Sequence, residues 1–259
     1  MTQDERLEYL IRYLLAERHE YEGTVIPEST DERRRLLRSL LNVRAPSAIG
    51  MDFLTVQDDY LQARLTERGV QRAEELTSVE PYIYLWQGDI TTLAADAIVN
   101  AANAGMTGCY VPCHGCIDNA IHTYAGVQLR LECARIMAAQ GHEEPTGRAK
   151  ITRGYNLPAK YVLHTVGPIV SRAPTLRDCE LLESCYRSCL ELAVANGLKS
   201  VAFCCISTGE FHFPNEAAAR IAVETVREFI HNGHSDMKVI FNVFKDQDAD
   251  IYRRLLRGG

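Results

Sequence analysis

Residues 88–108, GDITTLAADAIVNAANAGMTG, contain one short apolar run, AIVNA at 97–101, between loops of small and polar residues. A run of five with β-branched residues at its centre, bounded by Asp and Asn, is a buried strand rather than a helix. Working outward, YIYLWQ (82–87), AKITRG (149–154), YVLHTV (161–166), SVAFCCI (200–206) and KVIFNVF (238–244) have the same character. Between them, residues 118–137, 178–197 and 215–232 carry apolar residues at helical spacing. Strands alternating with helices predict an α/β fold in three layers, with a parallel or mixed sheet between helices. Ligands of such sheets sit beyond the carboxyl ends of the strands, where loops meet helix N-termini.

The first 75 residues have another pattern. RLEYLIRYLLAER (6–18), ERRRLLRSLLNVR (32–44) and QDDYLQARLTERG (57–69) place Leu, Ile and Tyr three and four apart, with arginine and acidic residues between. They predict a small N-terminal helical region over 1–75, with APSAIG (45–50) as an internal turn, and a second domain over 76–259. Nothing in the helical region resembles a site, so a packing layer or partner surface is expected there.

Composition narrows the function. The 259 residues are 46% apolar and 24% charged with a formal net charge of −6. A net negative chain without a long basic run is not expected to bind a nucleic-acid polymer through its phosphates. No apolar run reaches the roughly 18 residues of a membrane span, and the N-terminus is charged and amphipathic. A cytoplasmic protein is therefore expected, in which Cys133, Cys179, Cys185, Cys189, Cys204 and Cys205 are reduced core thiols. His122 and His164 are expected to be packing histidines.

Three loops after strands have the composition to hold a phosphate-bearing sugar. In the first, Asp89 can accept from an exocyclic amine or can cap a turn. In the second, STGEFHFP (207–214), successive amides of a Ser-Thr-Gly turn can face an anion, although neither P-loop nor GxGxxG spacing is present. In the third, NVFKDQD (242–248), Phe244 either stacks on a base or fills the core. A further segment, CYVPCHGCIDNAIH (109–122), gathers Cys109, Cys113, His114 and Cys116 in eight positions. Thiolates with an imidazole suit zinc, but the spacing is not that of a zinc finger. If all four bind, the cage is closed and structural.

GDIT (88–91), AIVNAAN (97–103), HTVGP (164–168) and ISTGEF (206–211), in this order, resemble the macrodomain family, whose members bind ADP-ribose. The resemblance covers residues 80–255. It implies adenine near Asp89 and Ile90, pyrophosphate against Ser207, Thr208, Gly209, Glu210 and Phe211, and the distal ribose near Asn103. The segment 109–122, in place of a glycine-rich one, resembles the zinc-containing macrodomains, a microbial branch associated with sirtuin-type ADP-ribosyltransferases. Its C-x4-H-x-C pattern falls on Cys109, His114 and Cys116 and leaves out Cys113, and three ligands leave one position open.

The resemblance implies a Zn2+-dependent hydrolase that frees mono-ADP-ribose from protein side chains, acidic ones first, because a carboxylate leaves readily. Asn103 would orient the distal ribose and the water. Asp118 would steer that water or cap the adjoining helix, with Ile117 and Asn119 contacting the ligand. A non-catalytic reader of ADP-ribosylated protein, or a deacetylase of O-acetyl-ADP-ribose, would use the same loops.

Overall fold

The computed structural model describes residues 1–233 and 236–257. Three helices, α1 (Gln3–Ala16), α2 (Thr30–Val43) and α3 (Met51–Arg68), come first. The sheet region continues with β1 (Gln71–Arg72), β2 (Ser78–Glu80), β3 (Ile83–Gln87), β4 (Leu93–Ala94) and β5 (Ala97–Ala102). Helices α4 (Ile117–Ala125) and α5 (Val127–Gln140) lead to β6 (Ala149–Arg153) and β7 (Tyr161–Val166). Then come α6 (Leu176–Ala195), β8 (Ser200–Phe203), α7 (Asn215–His231), β9 (Lys238–Val243) and α8 (Asp246–Arg257).

Seven strands form one mixed sheet in the order β2-β3-β9-β8-β5-β7-β6. The five inner strands are parallel, and the edge strands β2 and β6 pair antiparallel to β3 and β7. This explains why the inner strands read as mostly apolar runs: Ile98, Val99, Val162, Leu163, Val201 and Val239 are buried between helices on both faces. The family fold expected from the sequence, three layers with a mixed sheet, is the one observed.

Two departures have local causes. The stretch 118–137 is two helices, because Gly126 stands at φ +93° and a Cβ there would meet Gln57 Nε2 at 2.6 Å. The short strands β1, β2 and β4 carry no apolar alternation and were not expected. Phe244 is 75% exposed, which overturns its reading as a core residue. All nine cysteines are free; Cys133, Cys185, Cys189 and Cys204 are buried and Cys179 and Cys205 half-buried. Among the described residues no helix is long and apolar enough to cross a membrane.

The N-terminal helices close on their own core of Leu7, Leu10, Ile11, Leu37, Leu40 and Phe53, each contributing roughly 1.5–3 kcal/mol by burial. Helix α2 then lies against α4. Arg130 of α5 fixes that docking: its Nη1 donates to the carbonyls of Leu41, Asn42 and Arg44 at 3.0, 2.7 and 2.7 Å. These are the carbonyls that a helix C-terminus leaves without partners.

Candidate active site and metal centre

A cavity of about 750 Å³ opens beyond the carboxyl ends of the inner strands, within the size range of small-molecule sites. Its walls come from the loops after β3, β5, β8 and β9, joined by Arg38 of α2 and Tyr124 of α4. Every expected site residue except Asn119 lines it.

At one end Asp89 caps a turn, one of the two roles considered for it. Its Oδ1 accepts from the Thr91 amide at 2.9 Å, capping a short 3-10 turn at Ile90–Thr92. Its Oδ2 meets Arg68 Nη1 at 3.0 Å, and the carboxylate still faces the cavity. Ile90 is buried beside it, and exposed Phe244 stands on the same wall.

The loop after β8 is built to present amides. Ser207 sits at φ +64°, and the turn is closed by Phe213 N to Ser207 O at 2.9 Å and His212 N to Gly209 O at 3.0 Å. The amides of Gly209, Glu210 and Phe211 have no protein partner among the described residues, as an anion cradle requires. Ser207 Oγ is buried without a partner. Gly167 of the HTVGP motif makes room for it: a Cβ there would lie 2.0 Å from Ser207 Oγ. Sequence reasoning missed this pairing because the two residues are 40 positions apart.

At the other end the thiols of Cys109 and Cys116 and the His114 ring converge, their donor atoms all within 4.8 Å of one another. Cys109 Sγ lies 3.6 Å from His114 Nδ1. A tetrahedral zinc with bonds of about 2.3 Å to sulfur and about 2.05 Å to nitrogen needs these two donors about 3.6 Å apart, so the residues fit the ion. Cys116 also caps α4, accepting from Asn119 N at 3.4 Å. Burial, with Cys109 and Asp118 alongside, pushes its thiol up to about 12. His114 Nε2 faces Glu210 Oε1 of the opposite loop at 3.5 Å, the carboxylate position commonly found behind a metal-binding imidazole.

Cys113 is not one of the converging donors. It has left-handed backbone (φ +52°), its amide donates to Asn42 Oδ1 at 2.9 Å, and its sulfur lies 3.2 Å from Ser39 Oγ. The residue adjacent to a ligand is thus turned outward, onto α2. Asn119 is the correction among the site residues: it is fully buried, its Nδ2 donates to Val111 O at 3.0 Å and its Oδ1 accepts from Arg38. It braces the metal loop rather than facing the cavity.

Behind the loop lies a buried polar layer. Asp118 is not the helix cap; its Oδ1 accepts from Asn100 Nδ2 at 2.8 Å and its Oδ2 from Asn103 Nδ2 at 3.3 Å. Burial raises its carboxyl to about 6, against the lowering effect of Asn100 and Arg130. Asn103 also bonds Gly108 O at 3.1 Å and accepts from Gly105 N at 3.0 Å, which fixes its amide at the cavity wall. His122, Cys133 and His164 form a second, wholly buried cluster. There Asn100 Nδ2 donates to His164 Nδ1 at 3.2 Å and Nε2 pairs with Thr152 Oγ1 at 2.8 Å, so both ring nitrogens are engaged. His164 is a satisfied packing histidine, as expected; His122 is buried too, but neither of its ring nitrogens has a hydrogen-bond partner among the described residues, Nε2 lying 3.5 Å from Asp118 Oδ1.

The helical layer contributes more than packing, contrary to expectation. Arg38 donates to Asn119 Oδ1 at 2.7 Å and to His114 O at 3.0 Å and lines the cavity. Asn42 donates to Thr123 Oγ1 at 3.0 Å while holding Cys113. In ERRRLLRSLLNVR, Arg38 is one arginine of five, and no spacing rule marks it.

Fold and cavity define an α/β domain with unpaired backbone amides at one wall and converging Cys-His-Cys donors at the other. The macro domain family model matches residues 99–222. A protein-ADP-ribose hydrolase of Treponema medium is 56% identical over 99% of this chain and 100% of its own length. One from Staphylococcus aureus (strain MSSA476) is 49% identical over 96% and 94%. The Trypanosoma brucei macrodomain in complex with ADP-ribose superposes with a TM-score of 0.65, at 33% identity over 88% of this chain and 96% of that one. The chain belongs to the macro domain family.

Proposed function

We propose that this protein is a zinc-dependent hydrolase that releases mono-ADP-ribose from modified protein side chains, with Asp and Glu esters as substrates. The observation that carries the reading is the convergence of Cys109, His114 and Cys116 at the end of the cavity that also holds Asn103 and Asp118. Full-length relatives that carry the name protein-ADP-ribose hydrolase support it. In this reading residues 76–259 are the ADP-ribose-binding unit. A sirtuin-type ADP-ribosyltransferase supplies the modified protein, a part that rests on the resemblance of the metal loop alone.

Asp89 and Ile90 receive the adenine, and Phe244 stacks on it. The free amides of residues 209–211, with Ser207 and Thr208, bind the pyrophosphate. Asn103, its amide fixed by Gly105 and Gly108, orients the distal ribose. Asp118, held by two asparagine amides, accepts a hydrogen bond from a ribose hydroxyl or from the attacking water. Cys109, His114 and Cys116 would hold a zinc ion, which would supply Lewis acidity there. The bond from C1″ to the acyl oxygen breaks with oxocarbenium character at C1″.

The test is ADP-ribose release from a protein mono-ADP-ribosylated on acidic residues, for the native chain and Cys116→Ala, with ADP-ribose binding measured on both. Turnover lost while binding survives supports the reading. Equal turnover refutes the role of zinc. Binding without turnover in either identifies a reader, and turnover of O-acetyl-ADP-ribose alone identifies a deacetylase.

A further inference from the structure

Two side chains that line the cavity, Arg38 and Lys245, carry a permanent positive charge. Lys245 lies just after β9, two strands from β5 in the sheet, roughly 10 Å away at the usual strand spacing. The metal loop leads on from β5. Arg38 is therefore the cavity-lining cation at the metal end, brought there by a helix outside the sheet domain; Arg130, also near the loop, does not line the cavity. Its Nε and Nη2 are engaged by Asn119 Oδ1 and His114 O, which holds the guanidinium plane in place. Its Nη1 has no protein partner among the described residues and is not a buried orphan.

An anchored fork with one free arm suits a ligand that carries or develops negative charge. The reaction supplies one. When water attacks C1″, its oxygen bonds to that carbon, and the C1″–O electron pair leaves with the acyl oxygen. The products are ADP-ribose, a side-chain carboxylate and a proton released to solvent. Charge grows on the departing oxygen at the metal end, where the distal ribose lies in the function proposed above.

We propose that Arg38 determines specificity for acidic side chains: its free Nη1 donates to the departing carboxylate oxygen. The inference rests on the hydrolase reading and goes beyond it, because it assigns the leaving-group site to the N-terminal helical region.

The experiment compares native protein, Arg38→Gln and Arg38→Lys on ADP-ribosyl esters, linked at the 1″ oxygen, of carboxylic acids that differ in acidity. Zinc content, melting temperature and ADP-ribose affinity are measured on each. Loss of a fixed donor to a developing oxyanion costs about 10²- to 10³-fold when fully desolvated. At this half-exposed site Arg38→Gln should lower kcat about 10- to 100-fold. It should also steepen the dependence of kcat on leaving-acid pKa, with zinc and ADP-ribose binding unchanged and part of the rate restored in Arg38→Lys. A uniform loss with unchanged slope overturns the proposal, since a loop brace alone would give that. Weakened ADP-ribose affinity instead places Arg38 on the pyrophosphate, and lost zinc makes it purely structural. If the native protein cleaves none of the esters, the hydrolase reading itself fails and this proposal with it.

Discussion

Gly167→Ala tests how the pyrophosphate loop is held. The added Cβ would lie 2.0 Å from Ser207 Oγ and 2.9 Å from Ile206 Cγ2. An ordinary contact is about 3.4 Å, so the first gap must open by about 1.4 Å in a closely packed site. Ser207 is buried at φ +64°, and Phe213 N bonds its carbonyl, so relief comes by moving the loop. Overpacking of this kind costs about 1–3 kcal/mol. Because the strain falls on the amides proposed to bind pyrophosphate, ADP-ribose affinity should weaken about 10- to 100-fold, or about 1.4–2.7 kcal/mol. Isothermal titration with ADP-ribose reads this, with the melting temperature as control. In a Ser207→Gly background the nearest clash is gone and positive φ suits glycine, so the same Gly167→Ala change should cost less. A native dissociation constant for Gly167→Ala, or equal costs in both backgrounds, would refute the reasoning.

Acid should destabilise the fold through its buried histidines. Burial lowers His164 from 6.5 to about 3 and lowers His122 well below its ordinary value. Between pH 6.5 and 3 the unfolded chain therefore takes up protons that these two histidines refuse when folded, a loss of stability that Asp118, raised from 3.8 to about 6 and so protonated earlier in the folded chain, partly offsets. The His164 contribution is on the order of 5 kcal/mol at its limit; urea denaturation of an Asp118→Asn variant, which lacks the opposing carboxyl, should show it across that range, and a flat profile there would sink it. Cys113→Ala should retain one zinc per chain by elemental analysis while Cys109→Ala does not, since the Cys113 sulfur is turned onto α2. Phe244→Ala should leave the melting temperature unchanged, because the ring is exposed. Loss of base stacking, worth about 1–3 kcal/mol, should still weaken ADP-ribose binding at least fivefold in the same titration.

The inner strands were legible because a parallel sheet covered on both faces leaves runs such as AIVNA and VIFNV mostly apolar, with a single polar residue, Asn100 or Asn242, near the carboxyl end. The cavity loops were legible because they come directly after those strands. Asn119 was misplaced, since linear order could not tell which residue of the first turn of α4 faces the ligand; Asp118 faces the cavity and Asn119 the metal loop. Arg38, Asn42 and Gly167 were invisible for a different reason. Their partners lie between 40 and 81 residues away, and neither helical periodicity nor loop composition carries such pairings.

The grip of Arg130 on the end of α2 bears on how this protein can be taken apart. One guanidinium holds three carbonyls of the helical layer and also donates to Thr107 O at 2.7 Å, at the root of the metal loop. The helices and the loop are thus one module in the engineering sense. Transplanting residues 109–130 into a macrodomain that lacks the three helices would leave Cys113, Asn119 and Arg130 without the surface that sets the loop's shape. In lineages that keep or lose this metal centre, the two segments should be gained and lost together.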